Sequence, residues 1–165
     1  MIRLSRLADY GIVIVTELAR HPERIHTAPG MAAATRIPQP MASKILKALA
    51  RGGVLASTRG AKGGYRLAQP ANAISVADVI VALEGPIALT ACIEDGPGCC
   101  DIEALCPARG NWQRINDAIR GALQSVSVAE MAFTVPPAFA RAGRHDGPAP
   151  RPPAGRPGRT GHDVL

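Results

Sequence analysis

Aromatic residues are scarce in this 165-residue chain, which has one Trp, two Tyr and two Phe. A core with so few rings must be built from Ala, Val, Ile and Leu, which suits packed helices better than a β-sandwich. Long apolar runs are missing as well. The opening, MIRLSRLADYGIVIVTELAR, has only IVIV as an uninterrupted apolar stretch, with Asp9 and Glu17 close by and no small-residue cleavage site after it, so a signal peptide is not expected. Nothing approaches the roughly 18 apolar residues that a membrane span requires. A cytoplasmic chain with no membrane partner is the expectation. Cysteine is absent from every part of the chain except CIEDGPGCCDIEALC, residues 92–106, which holds all four. Cytoplasmic thiols are kept reduced, so two structural disulfides are disfavoured and a metal or redox role gains. Histidine is absent from that segment, the four standing at 21, 26, 145 and 162. A nucleophilic cysteine there has no base beside it, and an enzyme is not expected.

Acidic residues are rare in the first part of the chain. Residues 1–70 carry eleven Lys/Arg against three Asp/Glu, residues 71–140 carry three against eight, and the last 25 residues carry five against two, within a net charge of +6. A basic first half followed by an acidic stretch points to a polyanion partner confined to the first half.

The pattern within that half says which polyanion. Leu4, Leu7, Gly11, Ile14 and Leu18 step by three and four, predicting a helix that starts at Ser5 or Leu4 and ends at His21-Pro22. TAPGMAAAT (27–35) predicts a short helix capped by Thr27. RIPQP (36–40) is a break, with Pro40 in the first turn of the next helix. In PMASKILKALARGG, Met41, Ile45 and Leu49 share a face widened by Ala42, Leu46 and Ala48. Ser43, Lys44, Lys47 and Arg51 lie on the rest, and Gly52-Gly53 stops the helix. Two short helices with a tight connection, the second amphipathic and basic, describe a helix-turn-helix.

The continuation, VLASTRGAKGGYRLAQP, reads as strand, glycine-rich turn and strand, and a basic hairpin in that place is the wing of a winged helix. The second helix is then expected to enter the major groove of double-stranded promoter DNA, with Ser43 and Lys44 near base edges or phosphates, Lys47 on the same exposed surface and Gln39 at the backbone. Arg59 is expected in the adjacent minor groove, whose negative potential favours guanidinium, and Lys62 at a phosphate. A phosphate-binding loop is excluded because GxxxxGK[ST] is absent.

ISVADVIVALEGP (74–86) predicts a helix capped by Ser75, with Asp78 in its first turn. NWQRINDAIRGALQSVSVAEMAF (111–133) places Trp112, Ile115, Ile119, Ala122 and Val126 at helical spacing and predicts one long helix. Its natural use is to pair two copies into a homodimer, since helix-turn-helix dimers read paired half-sites. The last 25 residues, ten of them Gly or Pro, are expected to form a disordered tail, 141–165. The fold class expected is mainly α: a winged helix-turn-helix with a small two-stranded wing and a long C-terminal dimerisation helix. The expected division is 1–86 for DNA binding, 87–110 for a cysteine loop and 111–135 for dimerisation.

The opening helix, the segment IPQPMASKILKALARGGVLASTRGAKGGYRL and the cysteine loop followed by CPARGNWQRINDAI together resemble the Rrf-type winged-helix regulators, the family of IscR- and NsrR-like proteins. The likeness covers roughly residues 1–133 and is greatest to regulators of SUF iron–sulfur assembly. The resemblance implies a homodimeric repressor of promoter DNA that senses through an iron–sulfur cluster, [2Fe-2S] or [4Fe-4S]. The family pattern of three cysteines implies Cys92, Cys100 and Cys106 as ligands, the last two separated by DIEAL. Cys99 is extra, as a spare, an alternative ligand or a resolving thiol. IscR-like members carry a histidine three residues after the last cysteine, where this chain has Arg109. NsrR-like members complete the set with an aspartate from the partner's first helix, a place matched here by Asp9 in LADYG. Three thiolates and a carboxylate would be unusual for structural zinc. A four-cysteine zinc site that uses Cys99 stays open as the alternative, as does a thiol-redox switch with no metal.

Overall fold

A computed structural model describes residues 3–60, 62–90, 93 and 106–133. Helix α1 (Arg6–Arg20) begins where Ser5 Oγ accepts from the backbone N–H groups of Leu7 and Ala8 and ends at His21. It is the central element of the core. Ala8, Gly11, Ile14, Val15, Leu18 and Ala19 form its buried stripe, so the β-branched run at 12–15 follows the longer helical period and not its local strand preference. Helix α2 (Ala28–Thr35) is capped by Thr27, whose hydroxyl accepts from Gly30 N–H, and it delivers Met31 to the core.

Arg36 turns the chain in the left-handed region at φ 58, and buried Ile37 anchors the turn. Helix α3 (Gln39–Arg51) follows, with Pro40 in its first turn and Gly52 at its end. Ala42, Ile45, Leu46 and Leu49 are buried and pack with the α1 stripe in one cluster. Each fully buried Leu or Ile contributes roughly 1.5–3 kcal/mol relative to exposure. The end of α3 also has a steric reason for glycine. A Cβ at Gly52 would stand 2.4 Å from Ala82 Cβ and 2.9 Å from its Cα, so α3 and the following helix meet backbone to backbone there.

Strands β1 (Leu55–Thr58) and β2 (Gly64–Leu67) pair antiparallel in the register Leu55↔Leu67, Ala56↔Arg66, Ser57↔Tyr65 and Thr58↔Gly64. A bridge between His26 and Tyr65, closed by two backbone hydrogen bonds of 2.9 and 2.8 Å, ties the hairpin to the loop before α2. Helix α4 (Val76–Glu84) starts in a capping box in which Ser75 and Asp78 satisfy each other's backbone N–H. Its far end is held to the start of α1 by a hydrogen bond from Ser5 to Glu84.

The long helix expected over 111–133 is two helices, α5 (Arg109–Gln124) and α6 (Val128–Phe133). The break has a local cause. Ser127 Oγ accepts from Glu130 N–H at 3.2 Å while the Glu130 carboxylate accepts from Ser127 N–H at 2.7 Å, a second capping box in the letters SVAE. It also has a tertiary cause, because Val126 C=O accepts from Val76 N–H and Val128 N–H donates to Ile74 C=O. Val126 therefore lies outside the helix whose stripe it was expected to extend, and packs with Leu123 near Ala8, Val76 and Ile80. Helix α6 sends Val128 and Ala132 into the main core beside α1. Among the described residues, no helix is long and apolar enough to cross a membrane.

Candidate functional site

The outward face of α3 carries the expected DNA-reading residues. Gln39, Lys44 and Lys47 are exposed and Ser43 is half-buried, all on the side opposite the buried Ala42, Ile45, Leu46 and Leu49. Arg51 continues the row beyond Lys47 and is exposed too. The wing tip holds Arg59 and Lys62, both exposed. Gly60 lies there at φ 109, a conformation that a side chain would strain, and Gly63 N–H closes the turn on Gly60 C=O at 2.9 Å. One cationic helix face and one cationic hairpin tip are thus carried by a single core.

Between them lies an open cleft of about 440 Å3, lined by Lys44, Lys47, Ala50 and Arg51 of α3, Ser57 of β1 and Tyr65 of β2. Arg51, Ser57 and Tyr65 were not expected to take part. Arg51 had a signal, since it sits four residues past Lys47 on the same surface. Ser57 and Tyr65 had none, because only strand pairing sets them opposite one another and beside α3. Among the described residues, the ion pairs are Arg20–Glu17, His21–Glu23 and Arg24–Glu23. The cations of α3 and of the wing tip are in none of them.

The cysteine segment is less fully placed. Cys92, Cys99 and Cys100 lie outside the described residues, as does the tail 141–165. Cys106 is a free thiol, half-buried, three residues before α5 begins. Asp9 is exposed on the first turn of α1, in a groove of about 430 Å3 shared with Ile12, Val13, Thr16 and Met131. Among the described residues, no three His, Cys, Asp or Glu side chains come together as a metal site. The donors that are placed, one free thiol and one carboxylate in no ion pair, suit a set made of soft thiolates and one hard oxygen.

Helix α5 has an unusual burial pattern. Its expected apolar stripe is largely open: Trp112 is 40% and Ile115 45% exposed, Ala122 is exposed and Ile119 half-buried. Its one fully buried residue is Asn116, whose amide finds no hydrogen-bond partner among the described residues.

A recognition helix, a basic wing and a shared core define a winged-helix DNA-binding protein. The chain matches the Rrf2 family, "Iron-dependent Transcriptional regulator", across residues 4–134, and it belongs to that family. It is 31% identical over 132 residues to the HTH-type transcriptional regulator CymR of Bacillus subtilis, covering 79% of this chain and 89% of that one. The structure of CymR, "the Global Cysteine Regulator of B. subtilis", superposes with a TM-score of 0.66 at 30% identity over 82% of this chain and all of that one. T. potens IscR superposes at 0.63 with 25% identity, over 83% and 90% of the two chains. These relatives are transcriptional regulators and not enzymes. The chain is accordingly a DNA-binding transcriptional regulator with the mainly helical, two-stranded winged fold anticipated from its sequence.

Proposed function

We propose that this protein is an iron–sulfur-cluster-sensing repressor that grips promoter DNA as a homodimer, with SUF iron–sulfur assembly genes as its targets. The observation that carries the reading is the crowding of every cysteine into residues 92–106, directly ahead of a helix whose apolar stripe is left open. Residues 1–86 bind DNA, 87–110 sense, and 111–135 pair the copies chiefly through Trp112 and Ile115 of α5. Cys92, Cys100 and Cys106 supply three thiolates, the partner's Asp9 supplies a fourth ligand, and Cys99 is the alternative donor.

When bound, a cluster with an oxygen ligand, [2Fe-2S] or [4Fe-4S], supplies a centre labile to oxidants and nitric oxide. The chain's own residues convert occupancy into a DNA signal. Cys106 adjoins α5, and Asp9 lies on α1, which packs on α3. Ligation from both biases the arrangement of the two recognition helices in the dimer. That bias exists only if the ligands hold one arrangement better than the other, a coupling of about 1–3 kcal/mol, or 5–150-fold in operator affinity.

The test is anaerobic purification with iron and acid-labile sulfide analysis of the parent, of Cys92→Ser, Cys100→Ser and Cys106→Ser, and of Asp9→Ala. Loss of iron together with a shift in DNA affinity is the expected result. Iron content and affinity that ignore all three thiol changes defeat the reading, and a colourless protein with stoichiometric zinc replaces it by a zinc-stabilised regulator. The likeness to CymR, the global cysteine regulator of B. subtilis, favours a second reading, a thiol switch without a cluster. It predicts a reversible disulfide through Cys99 or Cys100 in metal-free protein.

A further inference from the structure

We infer that the cleft between α3 and the wing is the seat of one sugar-phosphate strand of the DNA, gripped by Arg51, Ser57 and Tyr65 together with Lys44 and Lys47. The inference rests on the winged-helix docking proposed above and adds to it three contact residues and a division of labour.

The geometry starts from the duplex. A helix in the major groove and a hairpin tip in the neighbouring minor groove are separated by the phosphodiester strand that divides the two grooves. Whatever lies between helix and wing on the protein therefore meets that strand. In this chain the space between them is an open cleft of about 440 Å3, and no acid is found among its described lining residues.

Strand alternation explains how the wing contributes. Successive side chains of a strand point to opposite faces, so Leu55 and Ser57 of β1 share a face with Tyr65 and Leu67 of β2. Leu55 and Leu67 lie against the core, and Tyr65 packs against it too while also lining the cleft. One step nearer the tip, the same face presents Ser57 and Tyr65 across the cleft from Lys44, Lys47 and Arg51. Hydroxyl groups opposite a cationic helix row suit a phosphate, whose oxygens accept from hydroxyl, ammonium and guanidinium donors alike. Such contacts position the protein and carry no sequence information, whereas the tip residue Arg59 is placed to read groove shape. Free phosphate shares this chemistry, but an open cleft between the helix and the wing suits a strand.

The full-length protein is tested on two probes, a random-sequence 30-base-pair duplex pool and the tightest duplex selected from that pool, each titrated across salt. Arg51→Gln is expected to weaken both by the same several-fold factor and to lower the slope of log affinity against log salt by about 0.9. Tyr65→Phe and Ser57→Ala are expected to weaken both by roughly threefold with the slope unchanged. Arg51→Lys, which keeps the charge, restores the slope. Circular dichroism melting of each variant confirms the fold. If the parent binds duplex but these variants match its affinity and slope, the seat is wrong and the winged-helix docking stands. A loss confined to the selected duplex makes Arg51 a base reader and likewise overturns the seat. Inorganic tripolyphosphate that binds the parent at this cleft without displacing duplex assigns the site to a free anion instead. A parent that binds neither duplex removes both the seat and the docking on which it depends.

Discussion

Helices α3 and α5 both carry an apolar stripe at helical spacing with charged residues opposite, yet the chain treats them in opposite ways. In α3 the stripe is wholly enclosed: Ala42, Ile45, Leu46 and Leu49 are each 0% exposed. In α5 it is the stripe that faces outward, with Trp112 and Ile115 open, while the buried position is taken by Asn116. Periodicity reports that a helix will be covered on one side. It is silent on whether the cover comes from the same chain, and here α1, α2, α4 and the wing cover the first stripe while no described element covers Trp112 and Ile115 of the second. An open apolar stripe of this kind is the mark of an interaction surface.

Four changes would break or sharpen this contrast. The largest effect belongs to the enclosed stripe. Ile45→Ala is expected to lower unfolding free energy by roughly 2–5 kcal/mol through lost burial and the cavity left behind, read from urea denaturation. An effect under 1 kcal/mol would mean that Ile45 is not enclosed. Next comes the open stripe. Trp112→Ala together with Ile115→Ser should leave the melting of the single chain almost unchanged but shift the equilibrium towards monomer. A buried Trp anchor costs on the order of 2 kcal/mol when truncated, about thirtyfold in dissociation constant, measurable by sedimentation equilibrium. Association unaltered by the double change would place the proposed dimer contact elsewhere.

The third change addresses the inverted core position of α5. Asn116→Leu keeps the number and branching of side-chain heavy atoms, though it is the larger residue, and removes two unpartnered polar atoms, so it should stabilise the chain by about 1–3 kcal/mol if the site takes the added volume. Destabilisation would show that the amide meets a partner in the assembled protein. The smallest effects concern the break that ends α5. Ser127→Ala should cost roughly 1 kcal/mol through loss of the cap. The Glu130 carboxyl is held below its ordinary value of 4.5, first by the backbone N–H of Ser127 and then by its hydroxyl. Because the folded value is the lower one, this cap stabilises fully above about pH 4.5 and is lost as pH falls through the folded value. Acid titration of the Ser127→Ala variant should show a smaller component, because the hydroxyl is lost while the backbone N–H at position 127 still donates to Glu130, and a parent and variant with identical acid profiles would refute the hydroxyl's share.

Comparing the two capping boxes shows what could be read in advance. Ser75-Val-Ala-Asp78 was legible as a helix start, and so were Ser5, Thr27 and the stop at Gly52, because each rests on hydrogen bonds or contacts within a few residues of chain. Ser127-Val-Ala-Glu130 carries the same signal and was read through, since the apolar spacing from Trp112 to Val126 runs across it. Two regular patterns overlapped, and the capping box prevailed with the help of the Val126–Val76 and Val128–Ile74 hydrogen bonds, which join residues about fifty positions apart. At the candidate site, the exposed row Lys44–Lys47 and the tip residues Arg59 and Lys62 were legible from charge and glycine spacing. Ser57 and Tyr65 were not, since neither is charged and neither repeats.

The sequence by itself determined the order and kind of most elements, the basic face of the recognition helix, the glycine tip of the wing and the gathering of four thiols ahead of α5. Those properties depend on the backbone preferences and charges of near neighbours, which a chain carries wherever it folds. Tertiary structure alone decided that α5 ends at Gln124, that α6 belongs to the core, that the α5 stripe stays open, and that Arg51, Ser57 and Tyr65 share a cleft. Each of these is settled by which distant segments compete for the same buried surface and the same backbone hydrogen bonds, a competition that has no local signature.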